Sequence, residues 1–146
     1  MEAELDRLEE RLGYRFRQRA LVERALTHSS YANEHAPLPH QEALAFVGDA
    51  ALGLVVGEWV FRADDAAAVG VLTPQRAALV SGANLARWAR DLDLGELLRL
   101  GRGEDQTGGR GRESILATTL EAVLGAVYLD GGLEEARRII GRLAVW

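Results

Sequence analysis

The stretch Gln41-Glu42-Ala43-Leu44-Ala45-Phe46-Val47-Gly48-Asp49-Ala50-Ala51-Leu52 opens a run, continuing to residue 62, that is rich in Ala, Leu, Val and Gly and nearly free of charge in its middle. A helix that is apolar on almost every side is a core helix, so residues 41–62 are predicted to form the central helix of the fold. Its few acids then stand out. Glu42 and Asp49 lie two turns apart on one face. A second strongly apolar helix is predicted over about 115–129, where Glu121 is the only acid. Carboxylates in apolar helices are costly to bury unless paired or metal-bound. Composition alone leaves two readings open. Asp49 and Glu121 either cap loops or pair with arginines, or they form an oxygen-only site for a hard cation such as Mg2+, shared by two packed helices.

Outward from these helices, the chain reads as further helices joined by short loops. A first helix covers 2–12, with Leu5, Leu8 and Leu12 at helical spacing and Gly13 ending it. A second covers about 18–27. The loop 29–40, with Pro37 and Pro39, is expected to exclude regular structure. After a loop at 63–70, Thr73 and Pro74 suit the N-cap and first position of a helix reaching about Ser81. Gly82 then separates a helix at 84–91, and a short one follows at 95–100. Residues 101–112 read as a Gly-rich loop, and Ser114 as the cap of the 115–129 helix. Asp130-Gly131-Gly132 closes that helix before a last one at 133–143. No segment alternates with the period of a strand, so the expected architecture is an all-α helical bundle in a single domain, 1–146.

Composition narrows the function classes. At 146 residues and 48 % hydrophobic, the chain is long and apolar enough to bury a core. The lack of cysteine removes disulfides and thiolate metal sites. A net charge of −5 argues against a general nucleic-acid coat but leaves room for a local basic patch, and every basic residue is arginine. The start, Met1-Glu2-Ala3-Glu4-Leu5-Asp6-Arg7, is no secretory leader, and the apolar stretch at 50–56 is short of a membrane span. A soluble, cytoplasmic protein with no membrane partner is expected.

The 41–52 stretch resembles the signature helix of the ribonuclease III family, Asn-Glu-Arg-Leu-Glu-Phe-Leu-Gly-Asp-Ala-Val-Leu. Other blocks agree in order: Leu12-Gly13-Tyr14-Arg15-Phe16, Ala25-Leu26-Thr27-His28-Ser29-Ser30-Tyr31, Arg76-Ala77-Ala78-Leu79-Val80, and Leu120-Glu121-Ala122-Val123-Leu124-Gly125-Ala126-Val127-Tyr128-Leu129-Asp130. The resemblance implies the family's endonuclease-domain fold. It also implies cleavage of double-stranded RNA with Mg2+ (or Mn2+) held by four acids, two from each apolar helix. At those positions this chain has Ala45 and Asp49, then Thr118 and Glu121, so two of the four are missing. A further family Glu falls near Val69, and the signature arginine is Ala43, while the early Glu survives as Glu42. Glu42 lies one turn from Ala45 and is a candidate to reach a metal through water.

The resemblance therefore implies a double-stranded RNA-binding and processing protein with weak or absent nuclease activity, a pseudoenzyme of its family. Cation binding should be weak or absent, because half the anionic ligands are gone. One alternative is an active Mg2+-dependent endoribonuclease, ribosomal RNA processing included, working with the remaining acids. Another is a non-catalytic heterodimer partner of an active paralogue, or a structural subunit of an RNA–protein particle. Phe46 is implied at a homodimer interface, inserting into a socket of a second subunit, against the plainer reading of a core aromatic. Arg102, Arg110 and Arg112 are candidates for RNA phosphates, against the plainer reading of a solvated loop neutralised by Glu104, Asp105 and Glu113. His28 and His40 are read as structural, and Trp59, Trp88 and Trp146 as packing. The double-stranded RNA-binding domain that usually follows in bacterial members is not in these 146 residues.

Overall fold

In the computed structural model, residues 2–35 and 38–144 are described. They form ten α-helices: α1 (Glu2–Leu12), α2 (Arg19–Ala25), α3 (Ser29–Glu34), α4 (Glu42–Ala63), α5 (Val69–Leu79), α6 (Gly82–Asp91), α7 (Leu94–Leu97), α8 (Arg102–Gln106), α9 (Glu113–Gly131) and α10 (Leu133–Ala144). Among the described residues there is no strand, only one isolated bridge between Thr27 and Arg99. Pro37 and Trp146 lie outside the described residues.

The two apolar helices, α4 and α9, cross at the centre, and α2, α6 and α10 pack around α9. Leu52, Val55 and Val56 of α4 meet a core that holds Leu116, Leu120 and Leu124 of α9, all essentially inaccessible. The outer helices are amphipathic. Helix α1 contributes Leu5, Leu8 and Leu12, and α10 contributes Ala136, Ile139 and Ile140 while its acids and arginines face outward. Trp88 is fully buried and Trp59 packs against the core. Both α4 and α9 are long and apolar enough to cross a bilayer by length and composition, a property that the stretch 50–56 alone did not reveal. Such composition is also what a mutually buried pair of core helices needs.

Polar anchors between distant segments complete the bundle. The guanidinium groups of Arg142 and Arg138 in α10 donate to the Leu12 and Gly13 carbonyls, each at 2.8 Å, where α1 ends in left-handed Gly13. At the end of α9, the Asp130 carboxylate accepts from the Tyr14 hydroxyl at 2.5 Å and from the Arg17 and Gln18 amides at 2.8 and 3.0 Å. It thus satisfies the amides leading into α2.

Several expected boundaries shift. The segment 29–40 is not wholly irregular, because the His28 side chain caps α3 by accepting from the Ser30 amide. Thr73-Pro74 does not start a helix. Helix α5 begins at Val69 without a side-chain cap and carries Pro74 inside it, and Leu72 packing onto the core holds that first turn. Ser81 is the cap of α6, its Oγ accepting from Asn84, so that helix starts at Gly82. Ser114 does not cap α9, which starts one residue earlier with no side-chain cap.

The Gly-rich segment is also more ordered than a loop. It holds α8 and a 3-10 turn at Gly109–Gly111. Arg110 secures it by donating to the Gly95 and Leu98 carbonyls at 3.1 and 2.6 Å and to Asp105 at 2.9 Å.

Candidate active site

Glycine decides how near the two central helices come. A Cβ built on Gly48 would lie 1.7 Å from the Glu121 carbonyl oxygen, and one on Gly125 would lie 2.1 Å from that of Leu44. Backbone therefore touches backbone at this crossing, which only residues without a side chain allow. Asp49, next to Gly48, is brought beside the Glu121 carboxyl.

Asp49 and Glu121 thus meet as a carboxyl pair from two different helices. Burial first, and then the hydrogen bond and charge of Asp49, push the Glu121 carboxyl up to about 8. Two adjacent carboxylates resist being ionised together unless a proton or a cation lies between them. A divalent ion replacing that proton fits this donor set. Mg2+ is held elsewhere by one or two carboxylates with several retained waters.

The surroundings add few further ligand atoms. Ala45, 8 % exposed, offers no ligand atom, and half-buried Thr118 offers a neutral hydroxyl. Among the described residues no third acid, histidine or cysteine joins the pair to make a metal-binding group. Glu42 is not brought there. It is exposed at the start of α4, its carboxylate 4.0 Å from His40 Nδ1. Val69 is 73 % exposed at the start of α5.

The raised Glu121 value has a stability consequence. In the metal-free protein the folded state keeps this proton up to about pH 8, whereas an unfolded carboxylate releases it near 4.5. Between those values the folded state binds more protons, so its stability falls as pH rises. The Glu121 contribution is complete below pH 4.5 and lost through pH 8. Thermal melts in EDTA should show this decline, and Glu121→Gln should flatten it. An equal slope in both proteins would exclude the shared proton.

One positioning residue was not anticipated from the sequence. Gln41 is 1 % exposed, and its Nε2 donates to the Ala25 carbonyl at 2.8 Å and to Thr119 Oγ at 3.1 Å. It pins the start of α4 to α2 and to α9 two residues before Glu121. The available signal was an amide-bearing residue opening an otherwise apolar helix.

Phe46 is not a core aromatic. It is 80 % exposed on the outer face of α4, near exposed Leu54 and Tyr128. Together with Ala50 and Leu133 these residues line a shallow apolar depression of about 300 Å³. The three candidate RNA-binding arginines differ. Arg110 is engaged with carbonyls and Asp105, as above, and Arg112 with Glu104 and the Thr107 carbonyl. Arg102 is exposed, and its guanidinium makes no hydrogen bond or ion pair among the described residues. His28 caps α3, and the His40 backbone carbonyl accepts from Arg24 at 2.9 Å.

Comparison with known proteins agrees with this architecture. Residues 18–145 match the family model described as Ribonuclease-III-like. Ribonuclease 3 of Streptomyces coelicolor is 53 % identical over 136 residues, 93 % of this chain and 49 % of that protein. Ribonuclease 3 of Pseudomonas entomophila is 49 % identical over 146 residues, 100 % of this chain and 60 % of that protein. The chain therefore spans about half to three-fifths of these relatives. The nuclease domain of the Campylobacter jejuni enzyme superposes with a TM-score of 0.90 at 40 % identity, covering 95 % of this chain and 94 % of that one. Its structure is described as flexible in a region involved in dimer formation.

Proposed function

Because the chain belongs to the ribonuclease-III-like family, we propose that it is a dimeric double-stranded RNA-binding domain that cleaves its substrate weakly or not at all. The observation that carries this reading is the isolated Asp49–Glu121 pair, flanked by Ala45 and Thr118 where the family pattern places acids. Asp49 and Glu121 would hold a Mg2+ ion. When bound, such an ion supplies a water of lowered pKa and neutralises charge on a phosphate. With half the anionic ligands, the pair grips it loosely. Ala45 contributes nothing to orienting a nucleophile, and Thr118 can only donate or accept a hydrogen bond. Duplex RNA is read by shape and backbone across its minor groove, a task that does not need the missing acids.

The test is cleavage of a long RNA duplex by the purified chain in Mg2+ and in Mn2+, with Glu121→Gln as the control. The expected result is binding with little or no cutting. Efficient cutting abolished by Glu121→Gln would establish the active-enzyme alternative instead.

Dimerisation rests on the apolar face around Phe46. A side chain 80 % exposed beside a shallow apolar depression is suited to a second copy carrying the same pair of features, as a two-fold interface requires. Phe46→Asp is expected to shift the chain from dimer to monomer in sedimentation velocity without altering its helical circular dichroism. A dimer that persists would remove this face from the proposal.

A further inference from the structure

A second groove, of about 570 Å³, lies between α3 and the start of α8, lined by Tyr31, Glu34, His35, Leu100 and Arg102. Its chemistry differs from that of the carboxyl pair. The Tyr31 and His35 rings stack with centroids 4.0 Å apart and planes within 15°. His35 Nδ1 donates to the Tyr31 carbonyl at 3.0 Å, which fixes the orientation of the outer ring. His35 is exposed, so this pre-ordered platform is presented to solvent.

Beside it stands Arg102, the one arginine of the Gly-rich segment whose guanidinium is not engaged among the described residues. Its backbone amide donates to Glu34 Oε2 at 2.7 Å, which holds the Glu34 carboxylate on the same groove. A second link ties the two elements together. The Gly101 amide donates to Ser30 Oγ at 2.8 Å.

An ordered aromatic face, an uncommitted guanidinium and a fixed carboxylate are the complementary groups of a nucleotide. The ring stacks a base, arginine meets a phosphate, and a carboxylate accepts from a base amino group. Bases inside a duplex present no free face, so the fitting ligand is unpaired. We propose that this groove binds an unpaired, amino-bearing nucleotide of a single-stranded segment adjoining the RNA duplex. The inference rests on the duplex-binding reading above and adds to it the feature that distinguishes one structured RNA from another. Glu34 disfavours uridine, which has no amino group, relative to cytidine, which carries one.

Fluorescence anisotropy tests it with the 146-residue chain and labelled RNA duplexes of one sequence. One is blunt, one has four unpaired cytidines at its 3′ ends, and one has them at its 5′ ends. At least one extended duplex should bind about tenfold more tightly than the blunt one, the effect of one stacked base. His35→Ala should abolish that advantage while leaving blunt-duplex affinity unchanged. Arg102→Gln should reduce it too, and a uridine extension should give less of it. Blunt binding with no gain from either extension overturns this inference and leaves the duplex reading intact. A gain that survives both variants overturns it as well. Binding to none of the duplexes overturns both readings. If free cytidine monophosphate removes the gain at equal concentration, the groove is a mononucleotide site and the RNA-extension assignment fails.

Discussion

Ala45→Glu combined with Thr118→Asp is expected to raise Mg2+-dependent cleavage of long duplex RNA by about a hundredfold or more over the unaltered chain, the scale on which charge-stabilising groups act in such sites. The geometry makes the substitutions informative. Position 45 lies one turn before Asp49, and position 118 one turn before Glu121, so each new acid falls on the face of an existing one. Ala45 is already enclosed beside the crossing, so a carboxylate there is directed toward the pair or must disturb the packing. A second readout separates these outcomes. Four clustered carboxylates repel one another in the metal-free protein, so the double variant should melt lower in EDTA and gain far more from added Mg2+ than the parent does. A double variant that is folded and dimeric, and is stabilised by Mg2+, yet cuts no faster would show that positions 45 and 118 do not limit cleavage. The exposed valine at position 69 and the alanine at position 43 would then be the next candidates.

The largest stability effect is expected at the helix crossing. Gly48→Ala places a methyl group 1.7 Å from a backbone oxygen of α9, and no side-chain rotation relieves a clash with backbone. The helices must separate, which opens the core around Leu52 and Leu124 and pulls Asp49 away from Glu121. A loss of about 3 kcal/mol or more is expected, at the upper end for overpacking. Gly53→Ala is the matched control. It lies on the same helix, where an added methyl group would meet nothing within 4 Å, and should be neutral or stabilising by up to ~1 kcal/mol through helix propensity. Urea denaturation of the two variants decides the matter. Equal midpoints would mean that the crossing is not held by backbone contact.

How far the site was legible depended on the kind of information each residue carries. Asp49 and Glu121 could be singled out because acids in apolar helices are rare and costly. Their direct contact could not, since it depends on how two helices far apart in sequence meet. Glu42 shows the limit of helical spacing. It shares a face with Asp49, yet at the exposed start of α4 its carboxylate faces His40 instead. The three arginines of the Gly-rich segment look equivalent in sequence, but only the fold shows two of them engaged internally and the Arg102 guanidinium not engaged among the described residues. Phe46 sits in an apolar run like its core neighbours, and its exposure follows from which face α4 turns to α9.

Hydrophobic periodicity and its absence determined the all-helical architecture, the two central helices and most of the outer ones, because burial of apolar surface is the dominant force and is written residue by residue. Local cap and turn chemistry was less decisive. Leu72 packs the uncapped start of α5 onto the core although Pro74 lies within that helix, and the His28 cap starts α3 ahead of Pro39 in a segment expected to be irregular. Tertiary structure alone decided the backbone contact at Gly48 and Gly125, the meeting of Asp49 with Glu121, and the Gln41 pin. Each of these depends on distances between segments that no local pattern encodes, and a single added methyl group is enough to change them.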